Sequence, residues 1–357
     1  MTKLDWYIIK RFIGTFFYAI IILAVISCVI DYSQKVDDFV KNKAPFLQVM
    51  NYFKNFIPHI SALLYPLFVF IACIFFTSKL AYKSEIIAML ATGISFNRLL
   101  RPYVVAASFL GVMALLANHW IVPVANKERL RFEKKYVKEH IGYADRNVHL
   151  QLSNSLFIYM QSYDYNNNSG MHFSAETVDG TLLKEKLMAE YASYDSTKKT
   201  WKLRNVTIRR NNDIHESLTV VQEMDKKYPF TPNDLRQDDG VKEALTTPEL
   251  NRYIAKQKLH GNENLNLYYT EKQRRTATPF AGFILSIIGV CIASRKIRGG
   301  SGLHLAMGIG LCAIYMMALQ LSTTFSTKAG LNPTLALWIP NIIFGGLALY
   351  LYRRQIR

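Results

Sequence analysis

The sequence lacks charged side chains over six long stretches. No Asp, Glu, Lys or Arg occurs in residues 12–30, 55–78, 102–126, 276–294, 299–327 or 329–352. Each stretch is near or above the roughly 20 residues that a transmembrane helix needs. A soluble fold would not separate its charges so completely, so the pattern excludes an ordinary soluble protein. It predicts a membrane protein with three spans before and three after a polar middle block.

Motifs for several kinds of chemistry are also missing. The sequence contains no Gly-x-x-x-x-Gly-Lys-Ser/Thr phosphate loop, no His-Glu-x-x-His pair and no Gly-x-Ser-x-Gly elbow. We therefore predict no catalytic residue, no metal, no cofactor and no ATP hydrolysis by this chain. The spans lack Asp, Glu, Lys and Arg, and their histidines lie near the span ends, which argues against a proton- or sodium-coupled transporter. The energy for any transport would then come from another protein.

Cysteine is scarce, and its positions do not predict a disulfide framework. All four cysteines lie within hydrophobic runs, where cysteine usually acts as a small apolar residue: Cys28, Cys73, Cys291 and Cys312.

The charge that is present is distributed unevenly. A net charge of +17 would ordinarily suggest nucleic-acid binding. Most acidic residues, however, lie in the middle block, and the excess of Lys and Arg lies near the chain ends and in residues 79–101 and 295–298. Cations in short loops set the orientation of a membrane protein, whereas a long block translocates regardless of its charge. We expect no nucleic-acid partner, both termini in the cytoplasm and the middle block outside.

The order of these regions predicts the domain organisation. An N-terminal transmembrane half, 1–126, has spans at 12–30, 57–78 and 103–123; a β domain, 127–245, and a helical connector, 246–275, precede a C-terminal transmembrane half, 276–357, with spans at 277–294, 303–325 and 333–352. From Val148 onward, apolar and polar residues alternate as in short strands, which favours a sandwich or an open roll. Thr247 and Pro248 predict the start of the connector helix, and Gly261 predicts its end.

A short apolar segment, residues 84–93, lies between the second and third spans. Ser84 can cap a helix with Glu85 in its first turn, and Gly93 can end it in the left-handed conformation. The segment is too apolar for a free loop. Two interpretations remain open from the residues alone: a surface helix that docks a partner, or a linker that rests on lipid.

Several short motifs occur in a fixed order around this layout. They are Leu4-Asp5-x-Tyr7-Ile8 with Arg11-Phe12, Ser84-Glu85-Ile86 to Gly93 with Leu99-Leu100-Arg101-Pro102, Trp120-Ile121-Val122-Pro123, Trp201-Lys202-Leu203, Leu250-x-x-Tyr253-Ile254 and Pro279. Through them the whole layout of the chain resembles the LptF/LptG family, the permease subunits of the lipopolysaccharide exporter. The resemblance implies an α-helical protein of the bacterial inner membrane with six transmembrane helices and an inserted periplasmic β-jellyroll-like domain.

The resemblance also implies a function and partners. Such a permease extracts lipopolysaccharide from the inner membrane and passes it to a periplasmic bridge. The implied partners are a paralogous permease, a cytoplasmic ATPase dimer similar to LptB, and a bridge protein similar to LptC or LptA. Segment 84–93 becomes the coupling helix, on which Glu85 faces a basic site of the ATPase and Gly93 allows close approach. Ile86, Met89 and Arg98 complete the predicted coupling set. A first-turn acid is also ordinary helix-terminus electrostatics.

Substrate-binding residues are expected at the outer end of the first span, where family members carry lysines that meet the phosphates of lipid A. Here the candidates are Lys35 and Lys41, with Tyr32 nearby. The sequence departs from the family pattern because Asp31, Asp37 and Asp38 are interleaved. Lysines solvated at the membrane interface are the alternative.

Aromatic residues of the first span are candidates for contact with acyl chains. These are Phe12, Phe16 and Phe17. Plain contact with membrane lipid is the alternative.

Two other functions fit the layout. One is a non-transporting membrane scaffold whose β domain binds an envelope protein through a strand edge. The other is an ABC-type permease for another envelope lipid or a lipoprotein. Copurification of an ATPase distinguishes the first from the proposed exporter, and identification of the cargo distinguishes the second.

Overall fold

The chain divides into two units. The computed structural model describes residues 2–137, 145–153, 155–164, 167–180, 182–212, 215–232, 240–259, 265–295 and 300–356. The first unit joins Met1–Val137, Gly240–Leu250 and Asn266–Arg357, and the second comprises Lys138–Asp239 and Asn251–Leu265. The first is helical and the second contains the β-sheet.

Long helices dominate the first unit. In chain order, the helices of the described residues are α1 (Lys3–Lys41), α2 (Phe46–Leu63), α3 (Tyr65–Tyr82), α4 (Glu85–Ala91), α5 (Phe96–Leu116), α6 (Val122–Tyr136), α7 (Val241–Ala244), α8 (Thr247–Leu259), α9 (Leu265–Ala293), α10 (Gly300–Lys328) and α11 (Pro333–Ile356). Within the described residues, six stretches are long and apolar enough to cross a membrane: α1, α3, the continuous α5 to α6 stretch, α9, α10 and α11. The prediction of six spans is confirmed, and the chain is a multi-pass membrane protein.

The second predicted span, 57–78, is not one helix. It is divided between α2 and α3 at Leu64, where φ is −97° and ψ is 10°. Pro66 explains the break: it has no N–H to bond the carbonyl of Ala62, and it lies in the first turn of α3, where proline is tolerated. Only α3, with 18 residues, qualifies as the span itself.

The third span continues into a charged helix. α5, a π-helical turn at Ala117–Ile121 and α6 form one stretch of 41 residues. Pro123 cannot donate to the carbonyl of His119, and in the wide turn before it the Val122 N–H bonds the carbonyl of Ala117. The boundary predicted at residue 127 is therefore displaced, because α6 belongs to the helical unit.

The segment predicted as the connector, 246–275, contains a shorter helix and the start of the next one. α8 ends at Leu259, and α9 begins at Leu265, well before the span predicted to start at residue 277. The early turns of α9 are polar, and Glu271 pairs with Arg275 one helical turn away. The helix end predicted at Gly261 lies outside the described residues.

The second unit contains an antiparallel sheet. Its strands are β1 (Asp145–Gln151), β2 (Leu156–Asp164), β3 (Ser169–Asp179), β4 (Leu182–Asp195), β5 (Thr200–Asn212) and β6 (His215–Lys226). They follow one another in sequence order in a six-stranded sheet, each antiparallel to its neighbour. The prediction of an inserted β domain is confirmed.

Alternating residues of the strands bury one face of the sheet. Ile158 and Met160 of β2 and Trp201 and Leu203 of β5 are all 2% exposed or less. The Trp201 indole Nε1 donates to the carbonyl of Phe230 at 3.2 Å, and the two rings stack with their centroids 4.7 Å apart. The Trp201-Lys202-Leu203 motif is thus the centre of this core.

A hydrophobic core holds the helices of the first unit together. It combines Ile8 and Phe12 of α1 with Phe68 of α3, Tyr103 of α5 and Val290 of α9, each 1% exposed or less. Both transmembrane halves of the sequence therefore share one core.

Candidate functional site

The predicted coupling segment forms the short helix α4, of which one face is anchored. Ile86 is fully buried and Met89 is half-buried, and both pack in the core that contains α1 and α5. Ile87 and Leu90 are 47% and 37% exposed. Residues three apart lie on the same side of a helix, and successive residues are about 100° apart, so these two pairs form adjacent faces. Ile87 and Leu90 constitute the α4 outer face.

Left-handed residues flank α4. Ser84, at φ 61°, precedes the helix, and Gly93, at φ 86°, follows it. A Cβ at Gly93 would meet nothing within 4 Å, so the backbone conformation alone requires glycine there. Glu85 lies partly exposed in the first turn, where the helix terminus favours a carboxylate.

Arg98, predicted to contact a partner, is bonded within the chain. Its Nη1 donates to Asp5 Oδ1 at 2.9 Å and its Nη2 to Asp5 Oδ2 at 2.8 Å. Asp5 Oδ2 also accepts the backbone N–H of Thr2 at 2.7 Å. Arg98 lies in the first turn of α5, where its own N–H donates to the capping hydroxyl of Ser95. The start of α1 and the start of α5 are thus joined.

The neighbouring residue makes a second junction. The Tyr352 hydroxyl of α11 donates to Asn97 Oδ1 at 2.7 Å, and its ring lies 6.4 Å from that of Phe96. The first turn of α5 therefore contacts the first and the last helix of the described chain.

An ionic cluster lies at the carboxyl end of α1. Lys35 Nζ is 2.7 Å from Asp31 Oδ1, 3.0 Å from Glu133 Oε1 and 2.6 Å from the Tyr52 hydroxyl. Arg129 Nη1 is 3.0 Å from the same Glu133 oxygen. We call these five residues the Lys35 cluster. The side chains of Lys35, Asp31 and Glu133 are only 20%, 12% and 11% exposed.

The charges of the Lys35 cluster balance. Burial, followed by the neighbouring charge of Glu133, raises the pKa of Tyr52, so its hydroxyl stays neutral. Two cations then face two carboxylates. In this arrangement, the charge of Lys35 is compensated inside the chain, and an anionic ligand would compete with Asp31 and Glu133 for it.

A further set of polar contacts fixes residues 240–247. Arg129 Nη2 lies 3.6 Å from Glu243 Oε2, and Asn126 Nδ2 donates to the Glu243 carbonyl at 3.4 Å. Arg275 donates to the carbonyl of Lys242 at 2.9 Å and to Thr247 Oγ1 at 3.2 Å. α6 and α9 therefore hold this segment from two sides.

A small polar cavity of about 20 Å³ lies beside these contacts. It is lined by His59, Asn118, Glu271, Arg274 and Arg275, among others. Its two arginines both pair with Glu271, at 2.9 Å and 3.0 Å. No group of three or more His, Cys, Asp or Glu within the described residues is placed to hold a metal ion.

The aromatic candidates of α1 differ in exposure. Phe12 and Phe16 are 0% and 1% exposed, with Phe12 packed against Tyr103 and Phe16 against Tyr65. Phe17 is 41% exposed. Among the three, only Phe17 is on the surface that acyl chains can reach in this structure.

The remaining substrate candidates lie near the Lys35 cluster. Tyr32 is 47% exposed, and its ring centroid is 6.1 Å from Phe39 and 6.2 Å from Phe53. Lys41 is exposed at the end of α1. The structure therefore brings Lys35 and Tyr32 to the same end of α1. The two differ in exposure, because Lys35 is half-buried in ion pairs and Tyr32 is exposed.

Sequence reasoning missed the partners of the candidate residues. Asp5 and Arg98 are 93 positions apart, and Lys35 and Glu133 are 98 apart. A sequence pattern can indicate only pairs at helical spacing, such as Glu133 with Arg129.

The comparison with known families covers nearly the whole chain. The family model described as lipopolysaccharide export system permease LptF/LptG matches residues 6–354. No match was found among curated proteins.

Proposed function

The chain belongs to the LptF/LptG family of lipopolysaccharide export permeases, and on that premise we propose that it is one permease subunit of an ABC-type exporter. Together with a paralogous permease, it extracts lipopolysaccharide from the bacterial inner membrane and passes it to a periplasmic bridge protein. A separate cytoplasmic ATPase dimer, similar to LptB, supplies the energy. Members of the family are permease components of a transport system and are not themselves enzymes.

The observation that carries the proposal is the α4 outer face. An exposed apolar pair on a helix that is anchored through its neighbouring side fits a docking surface for a partner protein. Glu85 begins the same helix and adds a negative charge that suits a basic site on that partner. The proposal places both termini and α4 in the cytoplasm and the β domain in the periplasm, as the cation distribution predicts.

For the substrate, we propose contacts at the carboxyl end of α1. Lys41, Tyr32 and Lys35 would meet the anionic headgroup, with Lys35 released from its carboxylate partners as the phosphate binds. Phe17 is the exposed aromatic candidate for acyl chains. Phe12 and Phe16 pack inside the helical core, and the ring of Phe16 contacts that of Phe17.

Charge reversal at Glu85 tests the docking role. Glu85→Arg should abolish copurification of a coexpressed ATPase, because it places a cation against the basic site. The matched control is Asp37→Arg, the same charge change at an exposed position near the carboxyl end of α1, far along that helix from its start at Lys3. Affinity purification of the tagged permease in detergent, with quantification of the ATPase, measures the effect.

The two variants give a clear decision. Retention of the ATPase by Glu85→Arg at the level of Asp37→Arg and the unchanged chain would contradict the docking role. Loss in both variants would show a general effect of charge and would contradict it as well.

A further inference from the structure

The carboxylate of Asp5 is an unusual feature of the first span. It is 4% exposed, although it lies in the first turn of a long apolar helix. Both of its oxygens accept hydrogen bonds: Oδ1 accepts from Arg98 Nη1, and Oδ2 accepts from Arg98 Nη2 and from the Thr2 N–H. This is a bidentate pair, the arrangement in which an arginine fork also fixes direction.

The pair lies close in sequence to the docking helix. Arg98 follows shortly after Gly93 in the sequence, and Ser95 between them caps α5. The Ile94 N–H bonds back to the carbonyl of Met89 at 3.3 Å. Hydrogen bonds therefore hold the backbone at the end of α4 and at the start of α5, and Asp5 holds Arg98 in that start.

Apolar contacts support the same junction. Ile8 and Ile9 of α1 share one buried cluster with Ile86 of α4 and with Phe96 and Leu99 of α5. Such contacts are non-directional and permit sliding, whereas the arginine fork sets one register between the two helix starts.

From this geometry, we infer that the Asp5–Arg98 pair is a clamp that transmits displacement of α4 to the first span. Arg98 is then a positioning residue that acts through Asp5 and not a contact for the ATPase. The inference rests on the proposed function, because it needs a partner that moves α4. It assigns a role to the Leu4-Asp5-x-Tyr7 motif, for which the docking surface alone gives none.

A double-mutant cycle tests the clamp. The full chain, with its partner permease and ATPase, is reconstituted in vesicles that contain lipopolysaccharide, as wild type, Asp5→Asn, Arg98→Gln and the double variant. Two quantities are measured: the ATPase retained on purification, and the lipopolysaccharide released per ATP hydrolysed. Asn keeps an oxygen acceptor for Thr2, so the start of α1 is preserved.

The clamp predicts a specific pattern. Each single variant retains the ATPase as wild type does but releases about tenfold less lipid per ATP, a typical size for energetic coupling between sites. The double variant releases as much lipid per ATP as the less active single variant, since both changes remove the same interaction. Arg98→Lys, which keeps the charge but loses the fork, also lowers release while it retains the ATPase.

Other results overturn the inference. Loss of ATPase retention by Arg98→Gln alone would make Arg98 a partner contact, and multiplicative losses in the double variant would make the two residues independent. Wild-type release by Arg98→Lys would show that the fork is not needed. If the wild-type chain itself retains no ATPase, the proposed function fails and the clamp fails with it, which is a different outcome from any of these.

Discussion

At the scale of single residues, the ionic groups at both ends of α1 are paired within the chain. At its start, Asp5 and Arg98 satisfy each other, and at its end Lys35 shares Glu133 with Arg129. Buried charges persist only when they are paired and hydrogen-bonded. Lys35, which we propose to meet an anionic headgroup, is therefore held within the chain by Asp31 and Glu133.

Removal of the shared carboxylate should destabilise the protein. Glu133→Gln leaves Lys35 and Arg129 with one fewer anion, and we expect a loss of roughly 1–3 kcal/mol in the free energy of unfolding. Glu128→Gln is the control on the same helix, because its pair with Arg131 is exposed and contributes little. Thermal unfolding in detergent should show a lower midpoint for Glu133→Gln alone. Equal midpoints for both variants would show that the Lys35 cluster does not contribute to stability.

Side-chain burial and side-chain partners were the features that the sequence predicted least well. Glu85, Gly93 and Lys35 could be selected from local spacing and charge, since helix caps and interface cations leave local patterns. The burial of Ile86, Phe12 and Phe16 could not, because the direction of a side chain on an apolar helix depends on which neighbours pack against it. Hydropathy alone does not distinguish a face turned to lipid from one turned to protein.

At the scale of elements, prolines and glycines set the shapes of the helices. Pro66 separates α2 from α3, and Pro123 follows the π-helical turn. Close packing needs glycine where two helices meet: a Cβ at Gly282 of α9 would lie 2.6 Å from the ring of Tyr65 on α3. The spans themselves were predictable from the missing charges, but their ends were not, because α6 and the start of α9 are polar helices beyond the apolar runs.

The contact between α9 and α3 gives a test at this scale. Gly282→Ala should overpack against Tyr65 and cost about 1–3 kcal/mol of stability. Gly310→Ala on α10 is the control, since a Cβ there would meet nothing within 4 Å. The thermal midpoint in detergent should fall for Gly282→Ala and stay constant or rise for Gly310→Ala, because alanine forms helices better than glycine. A constant midpoint for Gly282→Ala would mean that α3 and α9 do not pack as closely as described.

At the scale of the whole molecule, the chain combines a six-span helical unit, a β unit and an outward apolar face on α4. The three-plus-three order of spans and the inserted β domain followed from the sequence, because bilayer thickness fixes the length of apolar runs and strands alternate with period two. The sheet register did not follow, since between neighbouring strands it depends on the turn type and the loop length.

The most direct test of the account is the identity of the lipid carried by the intact complex. The tagged chain is purified with its partners from a bacterium that has an outer membrane, and bound lipids are identified by mass spectrometry. The account predicts lipopolysaccharide in wild-type complexes. A complex that carries a lipoprotein or only bulk phospholipid would contradict it.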